Sequence, residues 1–185
     1  MDIFVKAGFP PGVVNSVIHR PQDGPEIIPA LIEAPAVKKI NFTGSTATGR
    51  IVASLAGKHL KPVLMELGGK APAIVCEDAD LQNAALQCTL GAFLYSGQIC
   101  MATERILVNA KIAEEFKKVL SATVDGVFPD KNGLVLVDKA PVAKNAKLLQ
   151  NAVEKGAKAI YGDVEDKREL ATAMRPVILV SSNGI

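Results

Sequence analysis

Apolar residues along this chain fall either in short dense runs or in longer stretches where they recur at helical spacing. VVNSVI (13–18), entered from a PPG turn, is a β-branched run that predicts a buried strand. After the loop HRPQDGP, the apolar-periodic EIIPALIEA predicts a short helix in spite of its internal proline. KKINFT (38–43) predicts a second strand, which runs straight into GSTATG (44–49). In the RIVASLAGKHL that follows, Ile51, Val52, Leu55 and Ala56 share one helical face. PVLMEL (62–67) predicts a third strand, closed by GGK. Strands and helices that alternate over short connections indicate right-handed crossovers and a parallel sheet. Residues 1–67 therefore read as part of a doubly wound nucleotide-binding layer.

The pattern restarts beyond GGKAP. PAIVCE predicts a strand, and DADLQNAALQCTLGAFLYSG a helix whose acidic opening suits the positive end of its dipole. ERILV, AKAIYG and RPVILV read as strands, and AKIAEEFKKVLSATV and APVAKNAKLLQNAVEKG as helices. A domain boundary is expected at the GGK turn, which divides the chain into 1–67 and 68–185. DGVFPDKNG and GDVEDKREL are polar connections expected to be mobile.

With 49% hydrophobic and 22% charged residues, the 185-residue chain belongs among globular proteins, as one domain or as two small or incomplete ones. Lys and Arg total 21 against 19 Asp and Glu, and aromatics are 4%, so no basic, aromatic-studded surface exists to attract nucleic acid. Charges interrupt every apolar stretch before it reaches the length of a membrane span, and MDIFVKAGFPPG lacks the signal-peptide pattern. Cys76, Cys88 and Cys100 are odd in number and form no C-x-x-C pair, which argues against a disulfide framework or a zinc knuckle. His19 and His59 are the only histidines, too few for a His-rich metal site. These features describe a soluble, cytoplasmic protein without metal.

Three segments could carry chemistry. In FTGSTATG, a strand ending at Gly44 and Ser45 opens a helix whose free N–H groups suit a pyrophosphate, although a serine there also serves as an ordinary cap. In ELGGK, Glu66 among Val63, Leu64, Met65 and Leu67 would be desolvated toward the range of a general base. It would equally serve as an edge carboxylate paired with Lys70. Two glycines behind it would let a ligand approach the backbone. In LYSGQICMAT, Cys100 follows a Ser-Gly-Gln turn that could present sulfur to a pocket, yet no nearby histidine would deprotonate it. Cys76 and Cys88 read as small core residues.

Taken in order, these segments resemble the aldehyde dehydrogenase superfamily, whose hallmarks are an FTGS turn, an ELGGK motif and a GQxC nucleophile segment. Glu66 and Cys100 stand 34 positions apart, the spacing of that family's base and nucleophile. AGFPPGVVN (7–15), GSTATGR (44–50), DADL (78–81) and TERILV (103–108) add to the match. The resemblance is strong from about residue 7 to 125, loosens over 126–185, and returns at EKGAKAIYG and RPVILV. SGQICMATERI looks closest to the branch acting on aromatic aldehydes, such as vanillin and salicylaldehyde dehydrogenases.

The resemblance implies an α/β fold, a three-layer parallel-sheet architecture that is incomplete here. Residues 1–67 would be the C-terminal part of the Rossmann-like NAD(P)-binding domain, and 68–185 the N-terminal part of the catalytic domain. It implies oxidation of an aldehyde to a carboxylic acid with NAD or NADP. Cys100 would form a thiohemiacetal and then a thioester, and Glu66 would activate the hydrolytic water. The Cys100 N–H would help hold the oxyanion. Ser45 would meet the pyrophosphate, while Gly44 and the backbone of Leu67 would border the nicotinamide. Counterparts of the family's adenosine-ribose lysine, oxyanion asparagine and EIFGP-like segment are not visible. The chain matches roughly the middle third to two-fifths of a two-domain enzyme, which predicts weak or no activity. A non-catalytic remnant, acting as a structural or interaction module through exposed sheet edges, is the alternative. A thioesterase that works without nucleotide is another. NAD against NADP, the aldehyde, and self-association as a homo-oligomer stay open.

Overall fold

The computed structural model describes residues 2–129, 134–164, 173–174 and 176–181. The chain divides into two compact units, Met1–Leu67 and Gly68–Ile185.

In the first unit a short helix, α1 (Asp2–Lys6), precedes α2 (Gly24–Glu33), β1 (Ile40–Gly44), α3 (Thr46–Lys58) and β2 (Val63–Leu67). The helix α2 carries Pro29 in its interior, which forfeits the hydrogen bond to the Pro25 carbonyl. At its C-terminal end, Lys61 Nζ donates to the Ala34 carbonyl at 2.6 Å, just beyond the last turn. The strands β1 and β2 pair in parallel, with Phe42 opposite Met65, Thr43 opposite Glu66 and Gly44 opposite Leu67. Alternation puts Ile40, Phe42 and Met65 on the helix side, packed around buried Ile32, Val52 and Ala56. Gly49 of α3 lies against the sheet: a Cβ there would stand 2.7 Å from Leu67 Cδ2, and the Leu67 side chain would have to shift.

The second unit repeats the scheme. It contains β3 (Ala71–Val75), α4 (Leu81–Phe93), β4 (Thr103–Val108) and α5 (Ala113–Val127). Next come β5 (Leu134–Val135), α6 (Ala140–Glu154), β6 (Lys158–Tyr161), β7 (Ala173–Met174) and β8 (Ile178–Val180). The strands β3 and β4 are parallel, whereas β5 with β7 and β6 with β8 form short antiparallel ladders. Asp80 caps α4, its carboxylate accepting from the N–H groups of Gln82 at 3.0 Å and Asn83 at 3.1 Å. The core joins Val75 to Ala85 and Cys88 of α4 and to Phe116 and Leu120 of α5. Tyr161 Oη donates to the Asp125 carboxylate at 2.8 Å, tying β6 to α5.

Three expectations change. The 13–18 run is not a strand, and Val17 and Ile18 are 75% and 93% exposed. A β-branched run becomes a strand only with a ladder partner, and among the described residues β1 and β2 pair with each other alone. Cys76 is exposed, because it stands one residue past the end of β3, where the alternation stops. The described strands make four two-stranded ladders, of which β1 with β2 and β3 with β4 are parallel and the other two antiparallel. Of the expected polar connection DGVFPDKNG, Asp125, Gly126 and Val127 instead complete the last turn of α5, while 130–133, like 165–170 of GDVEDKREL, lie outside the described residues.

Phe116 is 1% exposed at the centre of the second core. Phe116→Ala should lower the unfolding free energy by about 3–5 kcal/mol, the cost of a large aromatic cavity. Urea unfolding followed by circular dichroism would measure it.

Candidate active site

At the C-terminal ends of β1 and β2 the parallel register sets Gly44 beside Leu67 and Thr43 beside Glu66. Ser45 follows as the N-cap of α3. Its hydroxyl accepts from the Thr48 N–H at 3.2 Å and lies 2.9 Å from Thr48 Oγ1. The Gly49 N–H donates to the Ser45 carbonyl at 2.8 Å. Among the described residues the Thr46 and Ala47 N–H groups then have no backbone acceptor, and both residues are exposed. Two free amides at the positive end of a 13-residue helix fit a pyrophosphate. A Cβ at Gly44 would lie 2.6 Å from Phe42 Cζ, so a side chain there would require the Phe42 ring to move.

Glu66 is exposed, so the desolvation expected of it is absent among the described residues. Alternation is the reason. Met65 and Leu67 turn toward the helices, whereas Glu66 shares the other face with Leu64, itself 47% exposed. Within the second unit Lys70 forms an ion pair with Glu104, and Arg105 donates to the Lys70 carbonyl at 2.9 Å. A Cβ built at Gly68 or Gly69 meets no described atom within 4 Å, so no described neighbour requires glycine at either position.

Cys100 belongs to the second unit. After Phe93 the chain leaves α4 through Tyr95, Ser96 and Gly97, whose φ values of 51°, 61° and 71° are all left-handed. The next turn closes with the Ala102 N–H donating to the Ile99 carbonyl at 3.0 Å. The Cys100 side chain stands exposed on that turn. Among the described residues its N–H donates to no backbone carbonyl, which leaves it available to an oxyanion. Cys88, by contrast, is 5% exposed, and burial pushes its thiol up from the ordinary value.

The turn is also held from outside. Ser96 Oγ donates to the Val135 carbonyl at 2.8 Å, and the Gln98 carboxamide bonds Tyr95, Val135 and Val137. Sequence reasoning placed both residues in a turn without these roles, and no local periodicity signals a side chain that bonds a segment 37 to 39 positions away. An open depression of about 340 Å³, lined by Glu33, Lys38 and His59 among others, lies toward the opposite end of β1 and β2. Among the described residues no group of three His, Cys, Asp or Glu could hold a metal, and no helix is long and apolar enough to cross a membrane.

These two sets of features belong to an incomplete α/β fold, and comparison with known proteins identifies its family. The model of the aldehyde dehydrogenase family matches residues 1–183, and the chain belongs to that family. A vanillin dehydrogenase of Pseudomonas fluorescens is 45% identical over 162 residues, covering 84% of this chain and 34% of that protein. The crystal structure of a salicylaldehyde dehydrogenase from Pseudomonas putida G7, complexed with salicylaldehyde, superposes with a TM-score of 0.86 at 37% identity. That match covers 98% of this chain and 38% of the other. An NADP-dependent glyceraldehyde-3-phosphate dehydrogenase from Bacillus halodurans C-125, complexed with NADP, superposes at 0.83 with 33% identity, covering 98% and 38%. The chain thus spans about a third of the length of the curated relatives it matches.

Burial gives Cys88 a testable signature. A thiol whose folded pKa is raised stabilises the fold fully below its unfolded value, about 8.5, and that contribution is lost as pH rises through the folded value. Unfolding free energy measured in urea should therefore decline above about pH 8.5, and Cys88→Ala should show a shallower decline.

Proposed function

We propose that this chain carries the nucleophile, the general base and part of the cofactor cradle of an enzyme that oxidises aromatic aldehydes to carboxylic acids with NAD or NADP. The observation that carries the reading is Cys100. It is an exposed thiol with an unengaged backbone N–H, on the turn that follows the left-handed Tyr95–Gly97 run, in the GQIC segment of a chain from this family. The aromatic preference is supported by similarity to a vanillin and a salicylaldehyde dehydrogenase.

Cys100 sulfur adds to the aldehyde carbon, and the oxygen that becomes negative is met by the Cys100 N–H. NAD(P)+, when bound, supplies the hydride acceptor that converts this adduct to a thioester. The Thr46 and Ala47 N–H groups, with Ser45, bind the pyrophosphate, and Gly44 and the Leu67 backbone border the nicotinamide. Glu66 then takes a proton from the water that hydrolyses the thioester. Nucleophile and base are separate groups because addition and hydrolysis are separate steps. Three free cysteines suit a cytoplasmic setting.

Incubation with NAD+ and benzaldehyde tests this. An acyl adduct detected by mass spectrometry should be confined to Cys100, disappear in Cys100→Ser, and accumulate in Glu66→Gln as hydrolysis slows by about 10²-fold or more. NADH formation that survives Cys100→Ser, or an adduct on another residue, would overturn it.

A second reading, an interaction module, is favoured by apolar residues left open on the surface: Ile18 is 93%, Leu60 92% and Val137 92% exposed. It predicts concentration-dependent self-association. A monomer at every concentration by size-exclusion chromatography with light scattering would remove it.

A further inference from the structure

The Gln98 carboxamide makes the bonds of a strand residue. Its Nε2 donates to the Val135 carbonyl at 3.2 Å, and its Oε1 accepts from the Val137 N–H at 2.9 Å. A residue in a parallel ladder bonds its neighbour's flanking carbonyl and amide in the same pattern. Nε2 also donates to the Tyr95 carbonyl at 3.0 Å, and the Ser96 hydroxyl reaches the Val135 carbonyl at 2.8 Å. Leu136, straddled by the two Gln98 bonds, is 7% exposed, so the anchoring segment is itself packed.

These bonds fall two residues before Cys100. On the other side the next fixed point is Ala102, 5% exposed, with its N–H on the Ile99 carbonyl at 3.0 Å. Cys100 is exposed between two anchors, and the one that joins its turn to a distant segment is a side-chain amide. We propose that Gln98 is a positioning residue: by fastening the turn to residues 135–137, it holds the Cys100 sulfur and the Cys100 N–H in one fixed relation, so that a carbonyl attacked by the first meets the second. This rests on Cys100 being the nucleophile. Without the carboxamide the thiol stays exposed, but an acyl group adding to it loses a donor already in place.

Two reagents separate reactivity from positioning. With p-nitrophenyl acetate, Cys100 sulfur bonds to the acetyl carbon and the ester C–O bond breaks. The electron pair leaves with p-nitrophenolate, and the thiol proton passes to buffer. That route develops an oxyanion. Iodoacetamide instead loses iodide from a saturated carbon as sulfur bonds to it, and no oxyanion forms. Rates are resolved by peptide mass spectrometry in the 185-residue chain, with exposed Cys76 as reference and buried Cys88 as a gauge of folding. Gln98→Ala should lower Cys100 acetylation about tenfold while leaving its alkylation unchanged.

If Cys100 of the unaltered chain is acetylated no faster than Cys76, the nucleophile reading falls and this inference with it. If Cys100 is faster and Gln98→Ala leaves that advantage intact, the positioning role alone is overturned, as it is by an equal fall in both rates. Should Gln98→Ala open Cys88 to labelling, Gln98→Glu decides. It keeps an acceptor for Val137 but sets oxygen against the Val135 and Tyr95 carbonyls, so the same selective loss is expected. Undiminished acetylation there overturns the proposal.

Discussion

Two strands that run the same way cannot be joined by a tight turn, and that constraint organises both units. The chain passes from β1 to β2 through α3, and from β3 to β4 through α4. Each crossover helix buries one face: Val52 and Ala56 in the first unit, Ala85 and Cys88 in the second. The geometry then decides where exposed functional groups can collect. In the first unit Gly44, Ser45 and Leu67 gather where the parallel strands end and the helix begins, the position at which α/β folds usually bind ligands. In the second, Cys100 sits on the return, between the end of α4 and the start of β4.

Legibility in the sequence followed the range of the forces involved. Helices such as α3 and α5, with one apolar face, were readable because helical periodicity is local, and so were the parallel pairs β1 with β2 and β3 with β4, whereas the two-residue β5 and β7 were not. The 13–18 run misled because β-branched composition reports suitability for a sheet, not the presence of a partner. The antiparallel ladders of β5 with β7 and β6 with β8 join segments far apart in sequence, and their direction leaves no local mark. The candidate site divides in the same way. Gly44, Ser45, Glu66 and Cys100 are in short motifs. Gln98 is in one too, but its bonds to Val135 and Val137 come from tertiary structure, which a motif does not spell.

The three cysteines show how little residue type says without environment. Cys76, Cys88 and Cys100 are evenly spaced, yet one lies past a strand end, one inside a helix core and one on a turn. Only Cys88 is enclosed, and there desolvation works against the thiolate. The other two differ less in exposure than in what surrounds them: Cys100 stands between a carboxamide anchor and the buried Ala102, on a turn with a free amide.

The exit from α4 carries a further consequence. Tyr95 and Ser96 adopt left-handed backbone angles that cost an L-residue roughly 1–2 kcal/mol each, and Gly97 continues the run. A Cβ at Gly97 would also stand 3.0 Å from the Ala92 carbonyl oxygen. The segment therefore limits which sequences can occupy it. Asparagine and glycine are admissible at 95 and 96, whereas valine, isoleucine or threonine would pull the chain back toward the right-handed helix. Variation tolerated on the surrounding surface is thus narrowed over three residues by backbone shape alone, independent of any ligand.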